Sequence, residues 1–210
     1  MSSRTSSQEG GQSSQLDLFK RLLQPHFLFN SLNNLYALSL HRSDQTPQAI
    51  AGLSHLLERV VEYARRDLIL LSEEVELIQE YVALERIWLG ETSFRLDIQV
   101  KGESAGVVVP PLAIYTLVEN AFKHGVRQSG SRGWITIHIV VKNDKVLVKI
   151  RNSYYQEQTH DISPSVTHTG LGIEAVRKIL EGSFRKHYYL DARPIGNMFA
   201  VDLIFGHVAA

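Results

Sequence analysis

The feature that most constrains the fold of this chain is a change in the spacing of its apolar residues near residue 90. Before that point apolar residues recur every three or four positions, the period of a helix that buries one face. After it they alternate with polar residues, the period of a strand that buries one face. The sequence therefore predicts an α+β protein, with helices first and a layered sandwich afterwards.

Three helices are predicted in the first part. An apolar stripe over 16–35 leads to a helix end near His41, and a turn at 44–47 separates it from a second amphipathic helix around 53–61. Two helices joined by a short turn form an antiparallel hairpin. Ser72, followed by two acidic residues, predicts the start of a third helix that runs to about Gly90.

Beyond Gly90 the chain alternates between predicted strands and helices, as in an α+β sandwich. The predicted strands are 94–100, 134–141, 146–150 and 198–205, and the helices between them are 111–125 and 170–181.

These patterns divide the chain into three regions. Residues 1–15 are rich in Ser, Gln and Gly without an apolar residue after Met1, which predicts a disordered leader. Residues 16–70 form the helical hairpin, and residues 71–210 form the third helix and the sandwich. The hairpin has more apolar surface than two helices can bury, so we expect it to pair with a second copy as a four-helix bundle.

Composition narrows the possible functions. Lysine plus arginine and aspartate plus glutamate number 22 each, so no overall charge would attract nucleic acid or an anionic membrane. The chain has no cysteine, which excludes disulfide scaffolds, cysteine-bound zinc and thiol nucleophiles, and fits a reducing cytoplasm. No apolar run reaches the roughly 18 residues of a membrane-spanning helix, so the sequence predicts a soluble chain.

Two helical segments carry residues with chemical potential. In QPHFLFNSLNNL, His26 follows Pro25, and Asn30 lies four residues later on the same helix face. In LVENAFKHG, the spacing of Asn120, Lys123 and His124 also predicts one shared face, where an amide oxygen can bind Mg²⁺ and lysine can neutralise phosphate. From spacing alone, an isolated core or surface histidine and an exposed polar helix face are at least as plausible.

Two further segments are weaker signals. In HTGLGIEAVRKIL, Gly170 and Gly172 open a helix whose free N–H groups could approach a phosphate, although a simple turn before a helix is the commoner explanation. Asn152 ends the predicted strand VLVKIRN, where it could accept a hydrogen bond or simply close the strand at a turn.

Together these segments resemble, in their order, the LytS-type sensor histidine kinases from about Leu18 to Phe205. PHFLFNSLNNL is similar to the family's phosphoacceptor signature, and ENAFKHG is similar to the N box of the Bergerat ATP-binding superfamily. TGLGIEAV resembles the second glycine box, except that His168 replaces a glycine and Ala175 an asparagine. The chain also departs from the family at Trp88, usually arginine, and at Asn152, usually an adenine-binding aspartate.

The resemblance implies a dimeric four-helix bundle followed by a Bergerat-type sandwich, a mixed sheet covered on one face by helices. It implies ATP and Mg²⁺ as cofactors. The implied roles are phosphoacceptor for His26, contact with the phosphorylated imidazole or a water for Asn30, Mg²⁺ binding for Asn120, phosphate contact for Lys123, His124, Gly170 and Gly172, and adenine contact for Asn152.

The implied function is autophosphorylation of His26 from Mg-ATP, followed by transfer to an aspartate of a response regulator in two-component signalling. The implied partners are a second copy and the regulator's receiver domain, and no nucleic acid. The implied location is the cytoplasm, with membrane attachment only through a sensor region that this chain does not contain.

Three alternatives compete with this function. A gyrase- or chaperone-type ATPase would carry a glutamate four residues before Asn120, where this chain has Thr116. A kinase-like adaptor without turnover is compatible with the departures at Trp88, Asn152 and His168. A metal site built from the nine histidines lacks suitable ligand spacing.

Overall fold

The computed structural model describes residues 25–90, 93–154, 170–184, 187–206 and 208–209. The chain divides into two compact units between Asp67 and Leu68. The predicted leader 1–15, the beginning of the first predicted helix and His168 lie outside the described residues. None of the helices in the described ranges is long and apolar enough to cross a membrane.

The first unit is a helical hairpin. Helix α1 spans Pro25–Leu40 and helix α2 spans Thr46–Tyr63, with Pro47 in the first turn of α2, where its missing N–H costs nothing. Helix α2 buries residues at intervals of three and four, as the sequence predicted; they are Ala49, Leu53, Leu56, Val60 and Tyr63.

The first helix of the second unit begins one residue before the predicted start. Helix α3 spans Leu71–Leu89, so Ser72 lies inside its first turn and does not cap it. The carboxylate of Glu73 instead accepts a hydrogen bond of 2.7 Å from the N–H of Leu70. A reach-back from the third helical position satisfies one of the N–H groups that a helix start leaves without a partner.

A mixed five-stranded sheet forms the body of the second unit. Its strands are β2 Phe94–Lys101, β4 Gly133–Lys142, β5 Lys145–Ser153, β6 Tyr188–Ile195 and β7 Met198–Gly206. They lie in the order β2, β4, β5, β7, β6, with β2 parallel to β4 and every other pair antiparallel.

Helices cover one face of this sheet. Helix α4 spans Ala113–Ala121, and helix α6 spans Gly170–Phe184. Strands β4, β5 and β7 bury every second side chain along most of their length. The large apolar residues of this alternation are Ile135, Ile137, Ile139, Val146, Val148, Ile150, Val201, Leu203 and Phe205. The predicted α+β sandwich with a mixed sheet is confirmed.

A small second sheet was not predicted from the sequence. Its strands are β1 (Ile69–Leu70), β3 (Val107–Val109) and β8 (Val208–Ala209), with β3 in the middle and both pairs antiparallel. Strands of two or three residues are too short to show an alternating pattern. The edge strand β6 was missed for another reason, because Pro194 argues against a strand and is tolerated only at a sheet edge.

The segment predicted as one helix over 111–125 is interrupted. Helix α4 ends at Ala121 and continues as a π-helical turn, Phe122–Val126, followed by the short helix α5 (Arg127–Ser129) and a 3₁₀ turn, Gly130–Arg132. A π-turn holds one more residue than an α-helical turn, and such turns occur often at functional sites. Lys123 and His124 both lie in this turn.

Candidate functional site

One narrow pocket collects residues from three motifs that are far apart in the sequence. Helix α4 and the π-turn supply one wall, the end of β5 supplies the base, and α6 and β7 close the other sides. The lining residues are Leu117, Asn120, Ala121, His124, Asn152, Tyr154, Ile173, Phe199 and Val201. Its enclosed space holds about one water molecule, so a nucleobase can enter only if the walls separate.

Asn152 lies at the base of the pocket with its amide held in one orientation. The side chain is 2% exposed, and its Nδ2 donates a hydrogen bond of 2.8 Å to the carbonyl oxygen of Ser153. Its Oδ1 is buried and has no partner among the described residues. A buried acceptor without a donor is costly, so this oxygen is available to a ligand that brings an N–H group.

Gly125 explains how Asn152 fits against the π-turn. A Cβ at residue 125 would lie 2.0 Å from Nδ2 of Asn152 and 2.6 Å from the carbonyl oxygen of Ser153. Only glycine leaves room for that approach. The glycine that ends the ENAFKHG segment is therefore a packing requirement of the pocket base, a role that the sequence alone did not indicate.

Asn120 and Gly172 meet in a similar way on another side of the pocket. The Nδ2 of Asn120 donates a hydrogen bond of 2.8 Å to the carbonyl oxygen of Thr116, one turn earlier in α4. A Cβ at residue 172 would lie 1.9 Å from Nδ2 and 2.4 Å from Oδ1 of Asn120. Gly172 and Asn120 were predicted to share a site, and the structure places them in direct contact.

The π-turn separates Lys123 from the other two residues of its motif. His124 lines the pocket with Asn120, whereas Lys123 is not among the lining residues and lies close enough to Glu119 to lower its pKa. Burial has the larger and opposite effect, and it raises the pKa of Glu119 to about 7. The pocket thus brings together Asn120, His124, Asn152 and the first turn of α6, which begins at Gly170.

Tyr154, Ile173 and Phe199 line the pocket but were not predicted as site residues. The rings of Tyr154 and Phe199 lie 5.6 Å apart at an angle of 51°. Such flat apolar walls suit the faces of an aromatic ligand. Their sequence surroundings gave no signal, because Tyr154 follows a strand and Phe199 lies inside one.

A buried carboxylate fixes the start of the helix that carries Asn120. Glu74 of α3 is 0% exposed and accepts hydrogen bonds of 2.9 Å from the N–H groups of Leu112, Ile114 and Tyr115. Burial raises the pKa of Glu74 to about 7, and these three hydrogen bonds oppose the shift. Leu112 has a left-handed φ of 64°, so this cap also stabilises an unfavourable backbone conformation.

The two residues predicted to handle the phosphoryl group lie in the first unit. His26 is in the first turn of α1, and Asn30 follows one turn later in the same helix. In the described part of the chain, no three His, Asp or Glu side chains are arranged to hold a metal ion. The side-chain amide of Asn120 is therefore the candidate Mg²⁺ ligand that remains from the sequence.

The chain resembles one protein family, several curated proteins and several solved structures. A family model described as Histidine kinase matches residues 14–93. Sensor histidine kinase YpdA of Escherichia coli K12 is 29% identical over 153 residues, which cover 72% of this chain and 26% of YpdA. Sensor histidine kinase/phosphatase LytS of Staphylococcus aureus MRSA252 is 28% identical over 177 residues, which cover 78% of this chain and 29% of LytS.

The Acinetobacter baumannii histidine kinase AdeS is a solved structure that aligns with 93% of this chain and 95% of its own, at 16% identity and a TM-score of 0.46. This chain spans between 22% and 30% of the length of the first curated relatives it matches.

The family model and the curated relatives show which class of protein this chain resembles, the sensor histidine kinases. Relatives named LytS are among them, in agreement with the resemblance of the phosphoacceptor and N-box segments.

Proposed function

We propose that this chain is the catalytic core of a two-component sensor kinase. In this proposal the pocket binds Mg-ATP, the γ-phosphoryl group is transferred to His26, and the phosphohistidine then passes the group to an aspartate of a response regulator. The support is the similarity to sensor histidine kinases together with one structural observation. Asn120, His124, Asn152 and Gly172, from three distant motifs, converge at one pocket whose buried acceptor has no partner among the described residues.

The base of the pocket suits adenine. The exocyclic amine of adenine is a donor, and Oδ1 of Asn152 is a buried acceptor that needs one. Tyr154 and Phe199 supply apolar surface for the faces of the ring. An amide lacks the charge of the aspartate usual in the family, so this hydrogen bond should be weaker by about 1 kcal/mol.

The residues present also fit Mg²⁺. The hydrogen bond from Nδ2 of Asn120 to Thr116 fixes the amide, so its Oδ1 is the atom available to a cation. Amide oxygen is a ligand that Mg²⁺ accepts, usually with waters and substrate phosphates as its other ligands. When bound, the ion would neutralise charge on the phosphates.

The transfer itself needs a neutral imidazole nitrogen. A ring nitrogen of His26 forms the bond to the γ-phosphorus as the bond to the bridging oxygen breaks, and ADP leaves with that oxygen. We assign Asn30, one turn later, to contact with the phosphorylated ring or to orientation of a water that removes the phosphoryl group.

The geometry disfavours simple ATP hydrolysis. Thr116 stands where hydrolytic members of the superfamily carry a glutamate, and its hydroxyl donates a hydrogen bond of 2.6 Å to the carbonyl oxygen of Leu112. The neighbouring Glu119 interacts with Lys123, Glu85 and Arg127, and is not among the residues that line the pocket. No carboxylate among the lining residues is therefore available to activate a water.

The test is incubation with γ-labelled ATP and Mg²⁺. We expect the parent chain to acquire an acid-labile, alkali-stable label that is absent from His26→Ala and from Asn120→Ala. His55→Ala is the matched control, because His55 is an exposed histidine of α2 in the same unit, and it should keep the label. ATP binding without label in the parent would contradict autophosphorylation by this chain and support the adaptor alternative.

A further inference from the structure

Helix α3 contacts helix α4, or the segment that follows α4, at three successive levels. Glu74, Tyr81 and Glu85 lie seven and four residues apart, so they share one face of α3. Glu74 caps the start of α4, and the ring of Tyr81 packs edge-on at 5.5 Å against the rings of both Tyr115 and Phe122. At the third level Glu85 contacts Arg127, the residue that follows the π-turn.

At that level two charges are joined, one on a fully buried side chain and the other on a side chain that is 24% exposed. Glu85 is 0% exposed, and its carboxylate accepts hydrogen bonds of 3.1 Å from Nε and 2.5 Å from an Nη of Arg127. The guanidinium also lies 5.8 Å from the ring centre of Trp88, another residue of α3. A two-point contact of this kind fixes the direction as well as the distance of the arginine.

The π-turn between these anchors can be compared with a regular α-helical turn of the same residues. Arg127 is the first residue after the π-turn Phe122–Val126. If the turn relaxed to an α-helix, the residues after it would rotate about the helix axis by about 100°, the angle of one residue. Arg127 would then point away from Glu85, so the ion pair is compatible with the π-turn and not with a continuous α-helix.

We propose that the Glu85–Arg127 pair is a positioning device that holds the π-turn, and with it His124, in the conformation that lines the pocket. A displacement of α3 then changes the affinity of the pocket without touching a pocket residue. Helix α3 begins at Leu71, directly after the boundary between the two units. The effect on affinity rests on the proposed binding of Mg-ATP. The proposal that the ion pair holds the π-turn does not depend on that binding.

The test must separate positioning from stability. Glu85→Gln and Arg127→Gln each leave a buried group poorly paired and should destabilise the fold, whereas Glu85→Leu/Arg127→Met replaces both charges by apolar groups and should largely restore stability. All variants are assessed by denaturant unfolding, by hydrogen exchange of the amides of 122–126 without nucleotide, and by the Kd for Mg-ATP.

The Glu85→Leu/Arg127→Met double variant gives the decisive result. We expect its stability to match the parent, its amides in 122–126 to exchange at least tenfold faster, and its Kd for Mg-ATP to rise at least fivefold. Ile139→Ala is the control for stability, because Ile139 is buried in β4 about 20 Å along the strand from Gly133, which packs against Val126. That control should lose stability but keep parental exchange and affinity.

Two results would overturn the proposal. In one, the double variant keeps parental exchange in 122–126. In the other, the amide exchange rates of 122–126 and the Kd for Mg-ATP rise in step with the loss of stability in every variant, including Ile139→Ala. If the parent itself does not bind Mg-ATP, the proposed function fails, and the exchange measurement alone still decides whether the ion pair holds the π-turn.

Discussion

At the scale of single residues, the pocket depends on amides whose orientation is set by the backbone. The Nδ2 atoms of Asn152 and Asn120 each donate a hydrogen bond to a nearby carbonyl oxygen, so Oδ1 is the acceptor that each amide offers to a ligand. The first oxygen suits an amine and the second suits a cation. Two residues of the same type thereby acquire different proposed partners through their positions alone.

A first prediction concerns Asn152. Asn152→Ala removes the acceptor, so we expect the Kd for ATP to rise about fivefold to tenfold, the equivalent of about 1 kcal/mol. The preference for ATP over inosine triphosphate, which carries a carbonyl in place of the amine, should largely disappear. Calorimetry or fluorescence titration measures both.

The control for this change is Ser153→Ala. The hydroxyl of Ser153 contacts Ser129 and the N–H of Trp134, and its removal leaves the carbonyl that Asn152 bonds. We expect lower stability with an unchanged preference for ATP. An Asn152→Ala variant that discriminates between the two nucleotides as well as the parent does would rule out the assigned contact.

At the scale of elements, close contacts between segments define the site. The π-turn approaches β5 at Gly125, and α6 approaches α4 at Gly172, each against an asparagine side chain. Glycine at these points serves packing between elements, because neither residue has a positive φ. Helix α6 contains a third glycine, Gly182, where an added Cβ would meet nothing within 4 Å.

A second prediction compares Gly172 and Gly182, which both lie in α6. Gly172→Ala forces a methyl group into the amide of Asn120 and should cost about 1–3 kcal/mol of stability, with weaker ATP binding. Gly182→Ala should raise stability by about 0.5–1 kcal/mol, because alanine has the higher helix propensity, and should leave binding unchanged. Denaturant unfolding with nucleotide titration tests both, and equal effects of the two changes would contradict the assigned contact.

At the scale of the whole molecule, α1 carries an unusual amount of exposed apolar surface. Phe29, Leu32, Tyr36 and Leu40 are between 58% and 65% exposed and lie at spacings of three and four along one face. A stripe of this kind is typical of helices that pack against a partner. It supports the proposed pairing with a second copy as a four-helix bundle.

A third prediction follows from this stripe. Tyr36→Glu introduces a charge into the proposed interface, so we expect the dimer to dissociate to monomer at tens of micromolar, as measured by light scattering. Tyr189→Glu is the control, because Tyr189 is a comparably exposed tyrosine of β6 in the second unit. The pairing would be refuted by a parent chain that is monomeric at this concentration.

The sequence by itself determined the classes and order of the main elements. The period of three and four in α2 and the period of two in β4, β5 and β7 follow directly from which side chains must be buried. The motifs also led to Asn120, His124, Asn152 and Gly172 before their proximity was known. Local pattern sufficed there because helix and strand periods act over neighbouring residues.

The tertiary structure alone decided how the segments meet. The cap by Glu74 and the Glu85–Arg127 pair join residues 38 to 42 positions apart, and no local pattern reports such contacts. The same holds for the need for glycine at 125 and 172, which arises from side chains elsewhere in the chain. Periodicity records burial, whereas the orientation of a polar group depends on the partner that the fold brings to it.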